Sequence, residues 1–403
     1  MEKKNQIPKY PHLRFPEFTD EWKEVKLGEV AERIKKRNTG HITRVLTISA
    51  QYGLVEQEDF FSKKVSSVDL SNYFLVEKGE FAYNKSYSRG YPWGAIKRLD
   101  QYDAGVLSPL YIGFRLKDDR IDSDYLQQYF EGSQWHKKIS LIAMEGARNH
   151  GLLNIAIQDF FNLPLRLPSL PEQRKIAALF SLIDERIEVQ NAIIKEQEAL
   201  KASLIRRLFD RTLRFPEFTD EWKEVKLGEV ALFFSGGTPS TYNKAFYKGD
   251  IPFIRSGDIH DSQTELTVSK AAIESSSAKI VFVGDVLLAL YGATSGDIAI
   301  SKMEGAINQA ILCIRPSSEI DRDFLFFTWE CQKKDIVRKY IQGGQGNLSA
   351  EIVKNIPLRL PSLPEQKKIA ALLSAIDERL DVERAYAEQL KQQKAYLLRQ
   401  MFI

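Results

Sequence analysis

The stretch LRFPEFTDEWKEVKLGEVA, Leu13–Ala31, returns letter for letter at Leu213–Ala231. A second stretch, NLPLRLPSLPEQRKIAALFSLIDERIE from Asn162, returns as NIPLRLPSLPEQKKIAALLSAIDERLD from Asn355. The copies are offset by 200 and by 193 positions, so the segments between them differ in length by seven. The chain therefore reads constant, variable, constant, and then the same again. That is a duplication at domain scale, with a period far too long for a solenoid. It divides the 403 residues into a tail (1–12), a first variable domain (13–161), a central repeat with a long helix (162–212), a second variable domain (213–354) and a closing repeat with a second long helix (355–403).

After each LPSLPEQ the periodicity is helical. Pro171 and Pro364 stand where the first turn of a helix tolerates proline, and Glu172 and Glu365 lie near its positive N-terminal end. Ile176, Phe180, Ile183, Ile187, Gln190, Ile194, Gln197, Lys201, Leu204 and Leu208 then step by four and three. Ile369, Leu373, Ile376, Leu380, Glu383, Ala387, Leu390, Lys394, Leu397 and Met401 repeat the register. A 4-3 pattern over five heptads is a coiled-coil seam with a polar middle. Each helix should run for about 39 residues, or roughly 58 Å. The matched seams make each helix the natural partner of the other, although each could instead pack along its own half.

The variable halves read as mixed α/β with internal echoes. GEFAYNK at Gly79 answers GDVLLAL at Gly284, and AGVLSPLYIGFR at Ala104 answers EGAINQAILCIR at Glu304. A helical stretch follows each, from Asp124 and from Arg322, and Asn154 answers Asn347 eight residues before the closing repeat. The fold class expected is α+β, one α/β fold written twice and joined by two long helices.

Composition excludes several classes. Cys313 and Cys331 are too few for a disulfide framework or a cysteine-based metal site, so a reducing, cytoplasmic setting is expected. No apolar run reaches the roughly 18 residues of a membrane span, and the start MEKKNQIPKYPHLRF lacks the apolar core of a signal peptide. A net charge of +3 permits nucleic-acid binding without arguing for it. Catalytic signatures are also missing. There is no Pro-Pro dipeptide to serve a methyltransferase target-base motif, no GxxxxGK[ST] run, and no two of His12, His41, His136, His150 and His260 have metal-ligand spacing. Asp20, Glu24 and Lys26, repeated at Asp220, Glu224 and Lys226, spell a nuclease-like D-x3-E-V-K. An Asp only four positions before the Glu is a poor fit to one ion, and Glu24 and Lys26 read better as the solvent side of a strand carrying Val25 and Leu27 inward.

What the loops offer is binding. Arg33, Lys35, Lys36, Arg37 and Arg44 form a basic stretch suited to phosphate contacts. NKSYSRGYPWG from Asn84 gathers Lys85, Tyr87, Arg89 and Tyr91, and MEGARNHG supplies Arg148 and Asn149. The second half has FFSGGTPST with Thr238 and Ser240, IRSGDIHD with Arg255 and Ser256, LYGATSGD with Tyr291, Thr294 and Ser295, and IQGGQGN with Gln345 and Asn347. These are residue types that read base edges. Loops favour them anyway; the force lies in their falling at equivalent places of two related domains with different chemistry in each.

Two variable domains, each entered through EWKEVKLGEV and left through LPSLPEQ-x2-IA and a long helix, resemble the specificity (S) subunit of type I restriction-modification systems over the whole chain. SGGTPST, GDIPFI, GDVLLALYGAT and INQAI resemble that family's target recognition domains. The first domain departs, with RVLTISAQYGLVEQ in place of GGTPS and Ser108-Pro109 where the second has Asn308-Gln309. The resemblance implies a non-catalytic DNA-reading subunit with two pseudo-twofold-related domains on two antiparallel helices. Each domain would read half of a split, asymmetric target, while the helices act as spacer and dock for two methyltransferase (M) subunits, joined by two restriction (R) subunits. S-adenosylmethionine, ATP and Mg²⁺ would bind those partners, with no cofactor on this chain. Set against this are an adaptor scaffold without a DNA role and a self-sufficient methyltransferase, the latter opposed by the missing motifs.

Overall fold

The computed structural model describes residues 10–40, 42–49, 52–60, 69–86, 90–143, 152–340 and 347–403. The chain falls into two units: unit 1 is 1–191 together with 385–403, and unit 2 is Ala192–Arg384. This division cuts both long helices instead of following the repeat boundaries. The reason lies in the cores, since each unit completes its own with a piece of each helix.

In unit 1 the main sheet orders its strands Ala31–Arg33, Ile112–Leu116, Phe81–Asn84 and Ala95–Arg98, all antiparallel. Unit 2 repeats it strand for strand with Ala231–Ser235, Ile311–Pro316, Val286–Ala289 and Ile298–Ile300. Large apolar residues fill the inward positions: Phe81, Tyr83 and Phe114 in one, Val286, Leu288 and Ile314 in the other. A smaller sheet also recurs. Unit 2 orders it Thr267–Val268, Ile251–Ile254, Gly305–Ile307, Lys279–Val281, with the middle pair parallel. Unit 1 has Gly53–Glu56 on Leu46–Ser49 and Ala104–Leu107 on Phe74–Glu77, joined by a parallel bridge between Val45 and Val106.

The correspondence corrects one expectation. Leu46–Ser49, inside RVLTIS, takes the place of Ile251–Ile254 and not of GGTPS. The place of GGTPS, directly after the first strand of the main sheet, belongs in unit 1 to residues 35–40, which open with Lys35, Lys36 and Arg37. That segment runs beside Phe74–Glu77, with Leu75 N–H donating to the Lys36 carbonyl and Asn38 N–H to the Tyr73 carbonyl, each at 2.9 Å.

The opening and closing repeats fold onto each other. Lys23–Lys26 pairs antiparallel with Pro164–Leu167, Lys23 opposite Leu167; Lys223–Lys226 pairs with Pro357–Leu360, Lys223 opposite Leu360. Glu172 is 1% exposed and takes a two-pronged bond from Arg14 (2.7 and 2.8 Å); Glu365, equally buried, takes one from Arg214 (2.8 and 2.9 Å). The next residues, Gln173 and Gln366, are buried too. Gln173 accepts from Asp122 N–H and donates to the Arg120 and Pro168 carbonyls; Gln366 accepts from Asp321 N–H and donates to those of Glu319 and Pro361. The EQ of LPSLPEQ thus bolts the long helix to the opening repeat and to the N-cap of an earlier helix of its own half, Ser123–Glu131 or Arg322–Val337.

The long helices span Leu170–Phe209 and Leu363–Met401, within a residue of the length expected. Residues of the 4-3 seam are buried or half-buried along both. In unit 1 the segments run antiparallel, Phe180 meeting Phe402 and Asp184 meeting Lys394. Unit 2 does the same with Glu198 against Arg384 and Lys201 against Asp377. Both sequence-based alternatives hold together, because each segment also packs on its own domain: Phe180 and Phe402 join Trp22 and Tyr125 in one core, Leu208 and Leu373 join Trp222 and Phe324 in the other. Among the described residues, no helix is long and apolar enough to cross a membrane.

Candidate nucleic-acid interface

In unit 2 a chain of backbone bonds gathers the loops. Gly237 N–H donates to the Ile307 carbonyl (3.1 Å), and Asn308 N–H to that of Ile254 (3.2 Å). Leu290 N–H then donates to Ala310 (2.8 Å), and Leu348 N–H to Leu290 (2.9 Å). The loops after residues 235, 254, 290, 307 and 346 therefore share one rim. The glycines of SGGTPS allow the closest of these approaches: a Cβ on Gly236 would fall 1.8 Å from the Ile307 oxygen, and one on Gly237 1.9 Å from Ser277 Oγ.

The side chains on this rim are not equally free. Thr238 and Ser240 are exposed, and Thr238 Oγ1 donates to Gln309 Oε1 at 2.5 Å. Arg255 forms a fork on Asp258, Nε at 2.9 Å and Nη2 at 3.2 Å, which raises the guanidinium's pKa through that hydrogen bond and the carboxylate's charge. Ser256 and Thr294 are half-buried; Tyr291, also half-buried, packs against the core. Ser295 Oγ donates to the Leu290 carbonyl at 2.8 Å and so serves its own turn. Asn347 is exposed, and Gln345 lies outside the described residues.

Unit 1 builds the corresponding rim differently. Lys85, the counterpart of Leu290, accepts from Leu153 N–H through its carbonyl (2.9 Å). Burial, and secondarily the charge of Arg33, lowers the Lys85 pKa. Tyr91 has its pKa raised by burial and then by Glu131. Its turn closes on Gly94, whose φ of +77° and approach to the Asn84 carbonyl leave no room for a Cβ. Tyr87, Arg89, Arg148 and Asn149 lie outside the described residues.

The basic stretch proves less uniform in space than in sequence. Lys35 is exposed, but Lys36 Nζ lies 2.9 Å from Glu77 Oε1. Arg37 lies over the Phe74 ring and donates to the Asn72 carbonyl. Arg44 covers Tyr102 and pairs with Glu56 at 3.3 Å. Glu77 lies 41 positions from Lys36, and Glu56 reaches Arg44 only through the hairpin of Leu46–Ser49 with Gly53–Glu56, so a linear reading of charge missed them. It also missed Gln309, whose partner Thr238 is 71 positions away. The nuclease-like Glu24 is exposed and meets Arg166 at 3.3 Å, as a strand's solvent side would.

The model of the type I restriction modification DNA specificity domain matches residues 19–199 and again 219–392. The chain therefore belongs to that family, the DNA specificity class of type I restriction-modification proteins. Carrying the domain twice, it is a specificity subunit of that kind. It is 23% identical over 421 residues to the MjaVIII specificity subunit of Methanocaldococcus jannaschii, covering 96% of this chain and 92% of that one. A second protein of that archaeon, described as the MjaX specificity subunit, is 26% identical over 295 residues, 68% of this chain and 65% of its own length. The fold matches the crystal structure of a type I S subunit from M. genitalium with a TM-score of 0.58 at 18% identity, covering 98% of this chain and 99% of that one.

Proposed function

We propose that each unit reads one half of a split, asymmetric duplex target through its rim of loops. The long helices set the spacing between halves and, with the constant segments, dock two methyltransferase subunits. Two restriction subunits complete the complex. S-adenosylmethionine, ATP and Mg²⁺ belong to those partners, and this chain contributes recognition without chemistry. One observation carries the reading: two sheets that correspond strand for strand present loops of unlike chemistry at equivalent positions. A shared frame with free rims suits two different readouts by one assembly.

Among the candidate residues, Thr238, Ser240, Arg255 and Asn347 in unit 2 and Lys35, Lys85 and Tyr91 in unit 1 stand on these rims or beside them. Arg255 is the sharpest of them, since a guanidinium already oriented by Asp258 can present its remaining N–H groups to guanine without losing further freedom. The test reconstitutes the chain with its methyltransferase partner and maps the methylated sequence. Arg255→Ala is expected to relax a single base pair in one half-site, at a cost of about 1–3 kcal/mol, leaving the other half intact. A parental map without a two-part motif would overturn the function; an unchanged motif in the variant would return Arg255 to a purely structural pairing.

A further inference from the structure

Each unit contains a polar clasp that the DNA-reading role leaves unexplained. In unit 2, Lys201 of the first long helix places Nζ 2.6 Å from Asp377 Oδ1 on the second and 3.3 Å from Glu330 Oε2 on the recognition-domain helix Arg322–Val337. In unit 1 the same three elements meet. Lys394 Nζ lies 2.6 Å from Asp184 Oδ1, and Gln128 Nε2 of helix Ser123–Glu131 donates to Asp184 Oδ2 at 2.9 Å. Each lysine is only 16% exposed and occupies a seam position. Resting on the two-part target reading above, we propose that these clasps fix the register of the helix pair, so that Lys201, Asp377, Lys394 and Asp184 are positioning residues for spacer length.

The argument is one of selection. The apolar seam repeats every seven residues, so a slip of one heptad still sets apolar side chains against each other. A charged residue in a seam gives up stability for register. Here the lock is double, because Asp184 to Lys201 and Asp377 to Lys394 are the same distance along their helices, and one antiparallel register satisfies both pairs. A slip one way would bring Lys201 to Arg384 and Lys394 to Asn191; a slip the other way would bring both lysines to alanines, Ala370 and Ala177. Either loses both ion pairs that cross from one long helix to the other. A heptad is ~10.5 Å of helix, the length of ~3 base pairs.

The test uses the full chain reconstituted with its methyltransferase partner. A parental map lacking a two-part motif defeats the underlying reading and not this inference. Given a parental motif with one spacer, the variant carrying Lys201→Met and Lys394→Met is expected to keep both half-sites and gain a second spacer differing by ~3 base pairs. Exchanging the charges, Lys394→Asp with Asp184→Lys, is expected to hold the single spacer, whereas Lys394→Asp alone loses it. Register is also read without DNA or activity, by the distance between spin labels at positions 188 and 391 in a Cys313→Ala, Cys331→Ala background. One unchanged spacer and one unchanged label distance across these variants would overturn the proposal.

Discussion

Single side chains in the repeats do more internal work than their place in a motif suggests. Glu172 is buried and held in a two-pronged pair by Arg14, so removing the arginine leaves a buried carboxyl group without its cationic partner. Arg14→Ala is expected to lower stability by about 3 kcal/mol, as breaking a buried pair does; urea titration of the variant against the parent measures it. Arg214→Ala should act in the same direction through Glu365. Lys138 gives a pH signature. Burial, then the charge of Arg166, pushes its pKa down to about 8 from an ordinary 10.5, with the ammonium donating to Tyr129 Oη at 3.1 Å. The folded chain thus binds fewer protons than the unfolded one between those values, and this group's contribution to stability rises with pH from about 8 to 10.5. The difference between parent and Lys138→Met, followed by urea midpoints across that window, should climb with pH; a flat difference would refute the shift. At this scale the sequence was only half legible. The residue types on the rims could be read directly, but Glu77 beside Lys36, Asp258 beside Arg255 and Thr238 on Gln309 depend on folding or on local turn geometry that composition does not reveal.

The elements were far more legible. A 4-3 pattern gave the length of both long helices to within a residue, because forty residues of periodicity average out local exceptions. The echoes GEFAYNK and GDVLLAL fell on equivalent central strands, since apolar runs opened by a glycine turn leave little choice. The order of the short edge segments could not be read. RVLTIS was matched to the wrong partner because strands of four residues carry too little pattern to fix an alignment. If the helices set spacing, deleting one matched heptad from each, residues 187–193 with 385–391, keeps both lysine clasps and shortens the span by ~10.5 Å. The mapped motif should then retain its half-sites with a spacer ~3 base pairs shorter. Altered half-sites at the original spacing would contradict a spacer role.

For the whole molecule, the duplication was legible because it is written twice. Its physical meaning was not. Identical repeats are what docking of two copies of one partner would demand. The structure adds a second constraint, since Arg14, Glu172 and Gln173 form an internal joint that admits little variation, as do Arg214, Glu365 and Gln366. Invariant letters here serve closure of the frame as well as whatever docks on it. The exposed members of the repeats, such as Lys23 and Lys223, remain the ones for partners to explain.

Unit 1 is discontinuous in the chain, and that orders events during synthesis. Its core includes Leu398, Met401 and Phe402, Leu13 N–H donates to the Gln400 carbonyl, and Gln134 donates to that of Leu398. Unit 2 is one unbroken run, 192–384. The usual vectorial order, with N-terminal domains folding first as they leave the ribosome, is therefore expected to reverse: the later-made half would close first, while the earlier half would wait for residues 385–403. A chain stopped at Arg384 should yield a protease-resistant fragment from unit 2 and rapid cleavage throughout unit 1. Equal protection of both halves in limited proteolysis would show that unit 1 does not need its distant end. Faults in completing translation would thus fall on one reading domain and spare the other.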